Sequence, residues 1–229
     1  MGRDLHKVQA SILRELLFKN GTNFSSLNKS GLTNDHFTFH INQLTNKGII
    51  EKKRSKYYLT QKGKVFSSKL DVDALVMERQ ATLSVAVTAK KKIKGKTHLL
   101  IQKGLKEPFF GYYGFINGKV RFGETSEDTT KRELKEETGL SGDPEIFCVF
   151  HKMRGPSKST IKLDNLFFVY LVKNIKGALK YTKEGKNFWF PEEKVRKLKT
   201  FPGFDNLLNK VIKVKSPTYW EGFIRLKHI

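Results

Sequence analysis

The 229-residue chain has one cysteine, Cys148, so it cannot form an internal disulfide bond. It also lacks long apolar runs, since the longest, Leu166 to Val172, is far too short to cross a bilayer. Charges interrupt the N-terminal stretch every few residues, unlike the apolar core of a secretion signal. These shortages exclude a disulfide scaffold and a helical membrane protein. They predict a soluble, cytoplasmic protein without a membrane partner.

Acidic residues are scarce beside basic ones. The chain has 44 Lys and Arg against 22 Asp and Glu, which is a formal net charge of +22. This balance favours polyanionic partners such as nucleic acid or nucleotides, although a solvated lysine-rich surface has the same composition. Because both halves of the chain are basic, charge alone identifies no nucleic-acid domain. A 38% hydrophobic content is enough for a core and excludes disorder throughout.

Residues 1–72 show short helical patterns followed by a hairpin and a last helix. One helix is predicted over 6–19, and another follows Thr33 and ends at Gly48. The two β-like runs after it are separated only by Arg54 and Ser55, which predicts a tight turn. This order resembles a winged helix-turn-helix domain, and "YYLTQKGK" is similar to the passage from wing to helix in such regulators.

The resemblance implies that the helix after Thr33 enters a major groove while the wing contacts phosphates. The nucleic-acid-binding residues would then be Asn42, Gln43, Lys52, Lys53, Arg54 and Lys56. Winged helices also serve as docking or dimerisation modules, so a homodimer without DNA as a partner is the open alternative.

The pattern changes after residue 72. Residues 73–79, within the acidic stretch 71–80, predict a short and partly helical linker. A β-rich domain over 80–229 follows. The predicted elements are strands at 81–89, 97–104, 145–153 and 163–172, then helix-like segments at 191–199 and 201–215.

Three glutamates stand out in this basic chain. Thr125 and Asp128 predict a capped helix start, so Glu133, Glu136 and Glu137 fall inside a helix. At 100° per residue, the last two lie about 60° and 40° either side of the first, on one narrow face. Like charges at this spacing destabilise a helix. A cluster of hard oxygen ligands offsets that cost by binding Mg²⁺ or Mn²⁺.

The glutamates belong to a longer pattern. A glycine, five residues, a glutamate, seven residues and then "RELKEETGL" match every fixed position of the Nudix box, G-x5-E-x7-R-E-U-x-E-E-x-G-U with U apolar. The matching residues are Gly118, Glu124, Arg132, Glu133, Leu134, Glu136, Glu137, Gly139 and Leu140. Residues 80–229 therefore resemble Nudix hydrolases. The resemblance implies an α+β fold, with an α/β/α sandwich and a mixed β-sheet behind the winged helix.

The resemblance also implies the catalytic and metal-binding residues. Glu133, Glu136 and Glu137 would bind the metal, and an ion pair between Arg132 and Glu124 would orient them. Glu124 would contact the metal through water. Glu184 lies in a loop similar to one that carries an extra metal-binding glutamate in MutT-type enzymes. An ordinary loop acid is the alternative there, so which glutamate is the general base stays open.

The remaining candidates concern the substrate. Gly118 would let the backbone approach metal or phosphate. Ile116 and Asn117 stand where many Nudix proteins have proline and glycine, and because asparagine tolerates a positive φ, the loop is expected to be retained with Asn117 near the substrate.

The C-terminal part is similar to the ends of enzymes that remove oxidised purine nucleotides. By that resemblance, Asp205 or Asn206 would bind the base, and Trp189 and Phe201 would stack on it, with core packing as the alternative for the two rings.

The predicted function is a Mg²⁺-dependent Nudix pyrophosphohydrolase that cleaves a nucleoside diphosphate linked to another moiety, with an oxidised purine nucleoside triphosphate as one candidate. The alternative is a transcription regulator whose Nudix domain senses a nucleotide and whose winged helix binds DNA. The preferred substrate and the oligomeric state stay open.

Overall fold

A computed structural model describes residues 5–107, 109–213 and 218–225. The chain divides into two compact units on either side of the bond between Arg79 and Gln80. The elements of the first unit are α1 Lys7–Phe18, β1 Thr22–Asn23, α2 Phe24–Leu27, α3 Asn34–Asn46, β2 Ile50–Lys53, β3 Lys56–Leu59, α4 Gln61–Ser67, β4 Leu70–Asp71 and β5 Val76–Met77.

The helices of the first unit form because their apolar residues recur on one face. Phe37, Ile41 and Leu44 of α3 are buried in one cluster with Ile12 and Leu13 of α1. The strands β2 and β3 pair antiparallel across the predicted turn, and β1 joins them as an edge strand. The predicted order of helices, a hairpin and a last helix is confirmed, with the one-turn helix α2 lying between the two helices named from the sequence.

The expectation of a partly helical stretch at 71–80 is wrong. Strands β4 and β5 form a hairpin there instead, with Leu70 opposite Met77. The carboxylate of Asp71 accepts hydrogen bonds from the backbone N–H groups of Asp73 and Ala74, at 3.0 and 2.8 Å. An aspartate that bonds its own following backbone favours a turn over a helix, which is the physical reason for the difference.

The second unit contains eight strands and three helices within its described residues. They are β6 Thr82–Ile93, β7 Lys96–Gly104, β8 Tyr113–Gly114, β9 Ile116–Lys119, α5 Ser126–Thr138, β10 Ser141–Gly155, β11 Leu163–Lys176, β12 Gly185–Pro191, α6 Glu192–Val195, α7 Phe204–Lys213 and β13 Thr218–Arg225. None of the described helices of either unit is long and apolar enough to span a membrane.

The second unit is built on one mixed sheet with the strand order β12-β7-β6-β11-β10-β13, while β8 pairs with β7 and β9 with β6. The pairs β6–β11 and β10–β13 are parallel, and the other pairs are antiparallel. Apolar residues of α5 pack on one face of the sheet, and those of α6 and α7 pack on the other. The predicted α+β class, with an α/β/α sandwich and a mixed sheet, is confirmed.

The strand and helix bounds differ in places from the predicted ones. The four predicted strands are present but longer, and the short strands β8, β9, β12 and β13 come in addition. The helix expected over 191–199 is one turn long, because α6 ends at Val195. The last helix is present as α7, and residues 214 and 215 of the predicted segment lie outside the described residues.

Candidate active site

The helix α5 carries the glutamates and begins and ends where the sequence predicts. The hydroxyl of Thr125 accepts a hydrogen bond from the backbone N–H of Asp128 at 3.1 Å and donates one to its carboxylate at 2.6 Å. At the other end Gly139 adopts the left-handed conformation, with φ of 74°. These two caps mark the ends of the helix, so Glu133, Glu136 and Glu137 all lie within it.

Arg132 lies at the centre of the acidic cluster. Its guanidinium donates to both carboxylate oxygens of Glu124, at 2.7 and 2.9 Å, so the predicted ion pair is present. It also donates to Glu133 at 2.6 Å and to Glu136 at 3.2 Å. The hydrogen bond from Arg132 is the main cause that holds the pKa of Glu124 at about 2, well below its usual range.

The three glutamates of the narrow face have different surroundings. The side chain of Glu133 is only 12% exposed, and burial raises its pKa even though Arg132 opposes the shift. The side chain of Glu136 is half exposed. Glu137 accepts hydrogen bonds from the amide of Gln102 at 3.1 Å and from the hydroxyl of Thr182 at 3.0 Å. Arg132 therefore holds Glu133 and Glu136, while Gln102 and Thr182 hold Glu137.

Gly118 is needed for space. A Cβ at this position would lie 2.0 Å from the carboxylate of Glu133, and such a contact is impossible without a shift. The tolerance of asparagine for a positive φ is not used, because Asn117 lies in strand β9 and pairs with Ala86 of β6. Asparagine adopts extended backbone without strain, so Asn117 fits strand β9.

One cavity of about 790 Å³ brings many of the candidates together. Its lining includes all three glutamates of the narrow face. The other predicted residues that line it are Arg132, Glu184, Asn117, Gly118 and Phe201. Glu184 is exposed, and its carboxylate lies 3.1 Å from the ammonium group of Lys106.

Three predicted substrate residues do not line this cavity. The indole of Trp189 packs against the apolar cluster on the α5 side of the sheet, with the ammonium group of Lys91 4.2 Å from its centroid. Asp205 and Asn206 of α7 are exposed, while their neighbours Phe204 and Leu207 are buried. Core packing, the alternative considered for Trp189, is therefore what the structure describes.

Sequence reasoning missed several side chains of the site. Gln102 and Thr182, which orient Glu137, come from two separate parts of the chain. Lys152 and Arg154 of β10 also line the cavity, in a basic segment for which the sequence allows either attraction of phosphate or a solvated loop. The available signal was the alternation of the strand, because Lys152 follows Cys148 and Phe150 on its buried face.

The side chains of the cavity include suitable ligands for a divalent cation. Glu133, Glu136 and Glu137 offer hard carboxylate oxygens to one cavity, which is the donor type that Mg²⁺ and Mn²⁺ prefer. Among the described residues, no three such side chains stand in metal-binding geometry, and each of these carboxylates bonds a protein donor instead. The donor set fits the cation, and binding would require the carboxylates to turn from those donors.

The predicted nucleic-acid residues of the first unit fall into two groups. Asn42 and the four basic residues of the wing are exposed: Lys52, Lys53, Arg54 and Lys56. Gln43 is different, because its side-chain oxygen accepts a hydrogen bond of 2.6 Å from the amide of Gln9. This bond ties α3 to α1, so Gln43 is engaged inside the unit.

Comparison with known proteins gives matches to both units. A family model for the NUDIX domain matches residues 78–210, more than half of the chain, and a model for a winged helix-turn-helix matches residues 3–74. An ADP-ribose pyrophosphatase of Methanocaldococcus jannaschii is 28% identical over 128 residues, which cover 56% of this chain and 74% of that protein.

Two solved structures share the fold of the second unit. The NUDIX domain of Shewanella oneidensis NrtR, in complex with ADP ribose, has a TM-score of 0.52 at 16% identity, covering 67% of this chain and 97% of the other. The MutT mutator protein of Bacillus halodurans has a TM-score of 0.53 at 22% identity, covering 62% of this chain and 89% of the other.

Proposed function

The chain belongs to the family of NUDIX-domain proteins, and on that premise we propose that it is a divalent-cation-dependent pyrophosphohydrolase. Its substrate is a nucleoside diphosphate linked to another group. The observation that carries the proposal is the set of Glu133, Glu136 and Glu137, complete and lining one cavity with Arg132 between them. A cavity of this size has room for a nucleotide-sized ligand.

ADP-ribose and related compounds come first among the candidate substrates. The Methanocaldococcus jannaschii relative is an ADP-ribose pyrophosphatase, which supports this order. The oxidised purine nucleotides come second, because the residues expected to bind the base, Asp205 and Asn206, are exposed and outside the cavity lining.

The residues that line the cavity have different roles in the reaction. When bound, a divalent cation neutralises the diphosphate and makes a water molecule more acidic. Glu133, Glu136 and Glu137 would hold that cation. Arg132 keeps Glu133 directed into the cavity, and Gln102 keeps Glu137 so directed.

Turnover of a substrate panel tests the proposal. Purified full-length protein with Mg²⁺ is incubated with ADP-ribose, oxidised and ordinary purine nucleoside triphosphates, and nucleotide sugars. We expect release of a nucleoside monophosphate from at least one of them. Absence of turnover for every compound, with Glu136→Gln behaving as the parent does, would falsify the function.

The general base is proposed to be a glutamate of α5. Glu184 is 56% exposed and sits at an ion pair with Lys106, where water screens its charge. We therefore expect Glu184→Gln to lower kcat less than Glu136→Gln does. Parallel kcat measurements of the two variants and the parent decide this, and a larger loss in Glu184→Gln would move the base to the loop.

A second candidate function is regulation through DNA. It is favoured by the winged-helix match and by the exposed cations of the wing, Lys52, Lys53, Arg54 and Lys56. Cations of this kind bind phosphates and release counterions, so affinity for DNA falls steeply with salt. The same Nudix cavity would then also sense the nucleotide.

We expect the full-length protein to bind a random-sequence duplex with a linear dependence of log Kobs on log salt. Replacing both Lys52 and Arg54 with methionine is expected to reduce the slope of log Kobs against log salt by about 2, one unit per lost phosphate contact. The matched control removes two exposed lysines outside the wing, Lys7 and Lys64. Fluorescence anisotropy measures the slopes. Equal slopes in both double variants would leave the wing as a docking or dimerisation surface.

A further inference from the structure

The cavity has basic residues as well as glutamates. Lys152 and Arg154 stand two positions apart on β10, so both side chains point to the same face of the sheet. Both line the cavity that contains Glu133, Glu136 and Glu137. Nothing in the pyrophosphohydrolase reaction described above uses these two cations.

Lys152 is an unusual lysine because it is buried. Only 3% of the residue is exposed, and its ammonium group donates a hydrogen bond of 3.0 Å to the carbonyl of Pro202. The same group lies 5.0 Å from the centroid of the Phe201 ring. Lysine is almost never buried without an acidic partner, since leaving water costs an ammonium ion much free energy.

Arg154 beside it is also short of partners. One terminal nitrogen donates to the side-chain oxygen of Asn165 at 2.8 Å, and the guanidinium lies 5.7 Å from the centroid of Phe109. Its Nε is buried and makes no hydrogen bond. Across the described residues, neither Arg154 nor Lys152 has a carboxylate within ion-pair distance. Two neighbouring cations therefore face the cavity, and the carboxylates of that cavity are too far away to form an ion pair with either.

The electrostatics agree with the geometry. Burial, followed by repulsion from Arg154, lowers the pKa of Lys152 to about 7. Burial also lowers the pKa of Arg154. A bound anion would raise the pKa of Lys152 and of Arg154 again, because a nearby negative charge stabilises the protonated forms.

We propose that Lys152 and Arg154 form an anion subsite, which binds a phosphate group that the substrate carries in addition to its diphosphate. The proposal rests on the function proposed above, because it takes this cavity to be the substrate cavity. The substrate class is accordingly a nucleoside diphosphate compound with a further phosphate ester.

Phosphate fits the pair better than a neutral base does. A base could accept hydrogen bonds from both side chains but would leave both cations, of which Lys152 is buried, without a counter-charge. A phosphate supplies both the charge and several acceptor oxygens, and the guanidinium fork of Arg154 matches its geometry. The rings of Phe109 and Phe201 lie beside the cations, and apolar neighbours lower the local dielectric constant and so strengthen the attraction to an anion.

Calorimetric titration with inorganic phosphate, in the absence of divalent metal, tests the subsite without any turnover. The full-length parent is compared with Lys152→Met, Arg154→Met and, as the matched control, Lys158→Met, whose lysine is exposed in the turn after the same strand. We expect a loss of affinity of about tenfold or more in the first two variants, as for one lost charged contact. The control should bind as the parent does.

Thermal melting shows whether a variant that no longer binds phosphate is still folded. Without phosphate, Lys152→Met is expected to melt at or above the Tm of the parent, because it removes an uncompensated buried charge. With phosphate, the Tm should rise for the parent and the control and stay constant for Lys152→Met. Equal phosphate affinity in all four proteins, or none in the parent, would overturn the subsite.

Three matched compounds decide whether the phosphate belongs to the substrate or is a free anion. ADP-ribose carries no extra phosphate. ADP-ribose 2′-phosphate carries one at the adenosine end, and ADP-ribose 1″-phosphate carries one on the distal ribose. We expect a lower KM for one of the phosphorylated compounds, and Lys152→Met should lose the difference. Phosphate binding without such a preference would overturn the substrate-borne assignment. Failure to hydrolyse any of the three would exclude ADP-ribose compounds as substrates and overturn the substrate-borne assignment, while the panel still judges the enzymatic function and the calorimetry the subsite.

Discussion

Replacing Glu136 with glutamine is expected to lower kcat by about 10²–10⁴-fold, the range for a lost catalytic acid or base. Glutamine keeps the size of the side chain but removes the negative charge that a divalent cation needs from its ligands. Because the carboxylate of Glu136 is half exposed, the exchange should leave the fold intact. Steady-state kinetics on the best substrate of the panel measure the effect, and circular dichroism checks the fold.

The matched control for this exchange is Glu127→Gln. Glu127 lies in the same helix but pairs with Lys131 at 2.6 Å on the exposed surface, and it does not line the cavity. Exposed pairs of this kind contribute little, so the control should keep the activity of the parent. Parental kcat in Glu136→Gln, or an equal loss in Glu127→Gln, would contradict the assignment of this face as the catalytic one.

Replacing Arg132 with lysine is expected to lower activity or metal affinity by about 10–100-fold, as is typical when a residue that orients metal ligands is lost. Arg132 donates to Glu124 through two nitrogens and to Glu133 through a third. An ammonium group keeps the charge but cannot reproduce this fork. The half-saturating Mg²⁺ concentration and kcat, both taken from a metal titration of turnover, separate the two effects.

Lys131→Met serves as the neighbouring control for Arg132→Lys. It removes a cation from the adjacent position of α5, where the ammonium group is half exposed and pairs only with Glu127 among the described residues. Unchanged Mg²⁺ dependence in this control is expected. If Arg132→Lys has the Mg²⁺ dependence and kcat of the parent, then Arg132 does not position the glutamates, and its contacts with them serve stability alone.

The local parts of the fold follow from the sequence. The caps Thr125 and Gly139, the spacing of the glutamates and the hairpin turn at Arg54 act over a few residues, so their patterns predict them well. Predictions failed where a residue distant in sequence, or a competing turn, determines the backbone conformation. The Asp71 side chain makes a turn where acidic composition suggested a helix, and β9 extends Asn117 because β6 lies beside it.

The same distinction holds within the site. The resemblance to the Nudix box implies Glu124 as the partner of Arg132, and only eight residues separate the two. It cannot predict Gln102 as the partner of Glu137, because 35 residues separate the two and only the sheet brings them together. Asp205 and Asn206 show the reverse case, in which a helical pattern is right but its exposed face turns these residues to solvent.

By itself, the sequence determined that this chain carries a Nudix box behind a winged helix, because short-range spacing sets helix faces and caps. Only the tertiary structure decided which side chains share the cavity with the box glutamates. By sequence alone, Lys152 and Arg154 lie in a basic stretch typical of solvated loops, whereas strand pairing buries Lys152 and places both side chains in the cavity lining. Burial and neighbouring charge depend on packing between distant segments, and these two properties turn an ordinary lysine into a candidate for binding phosphate.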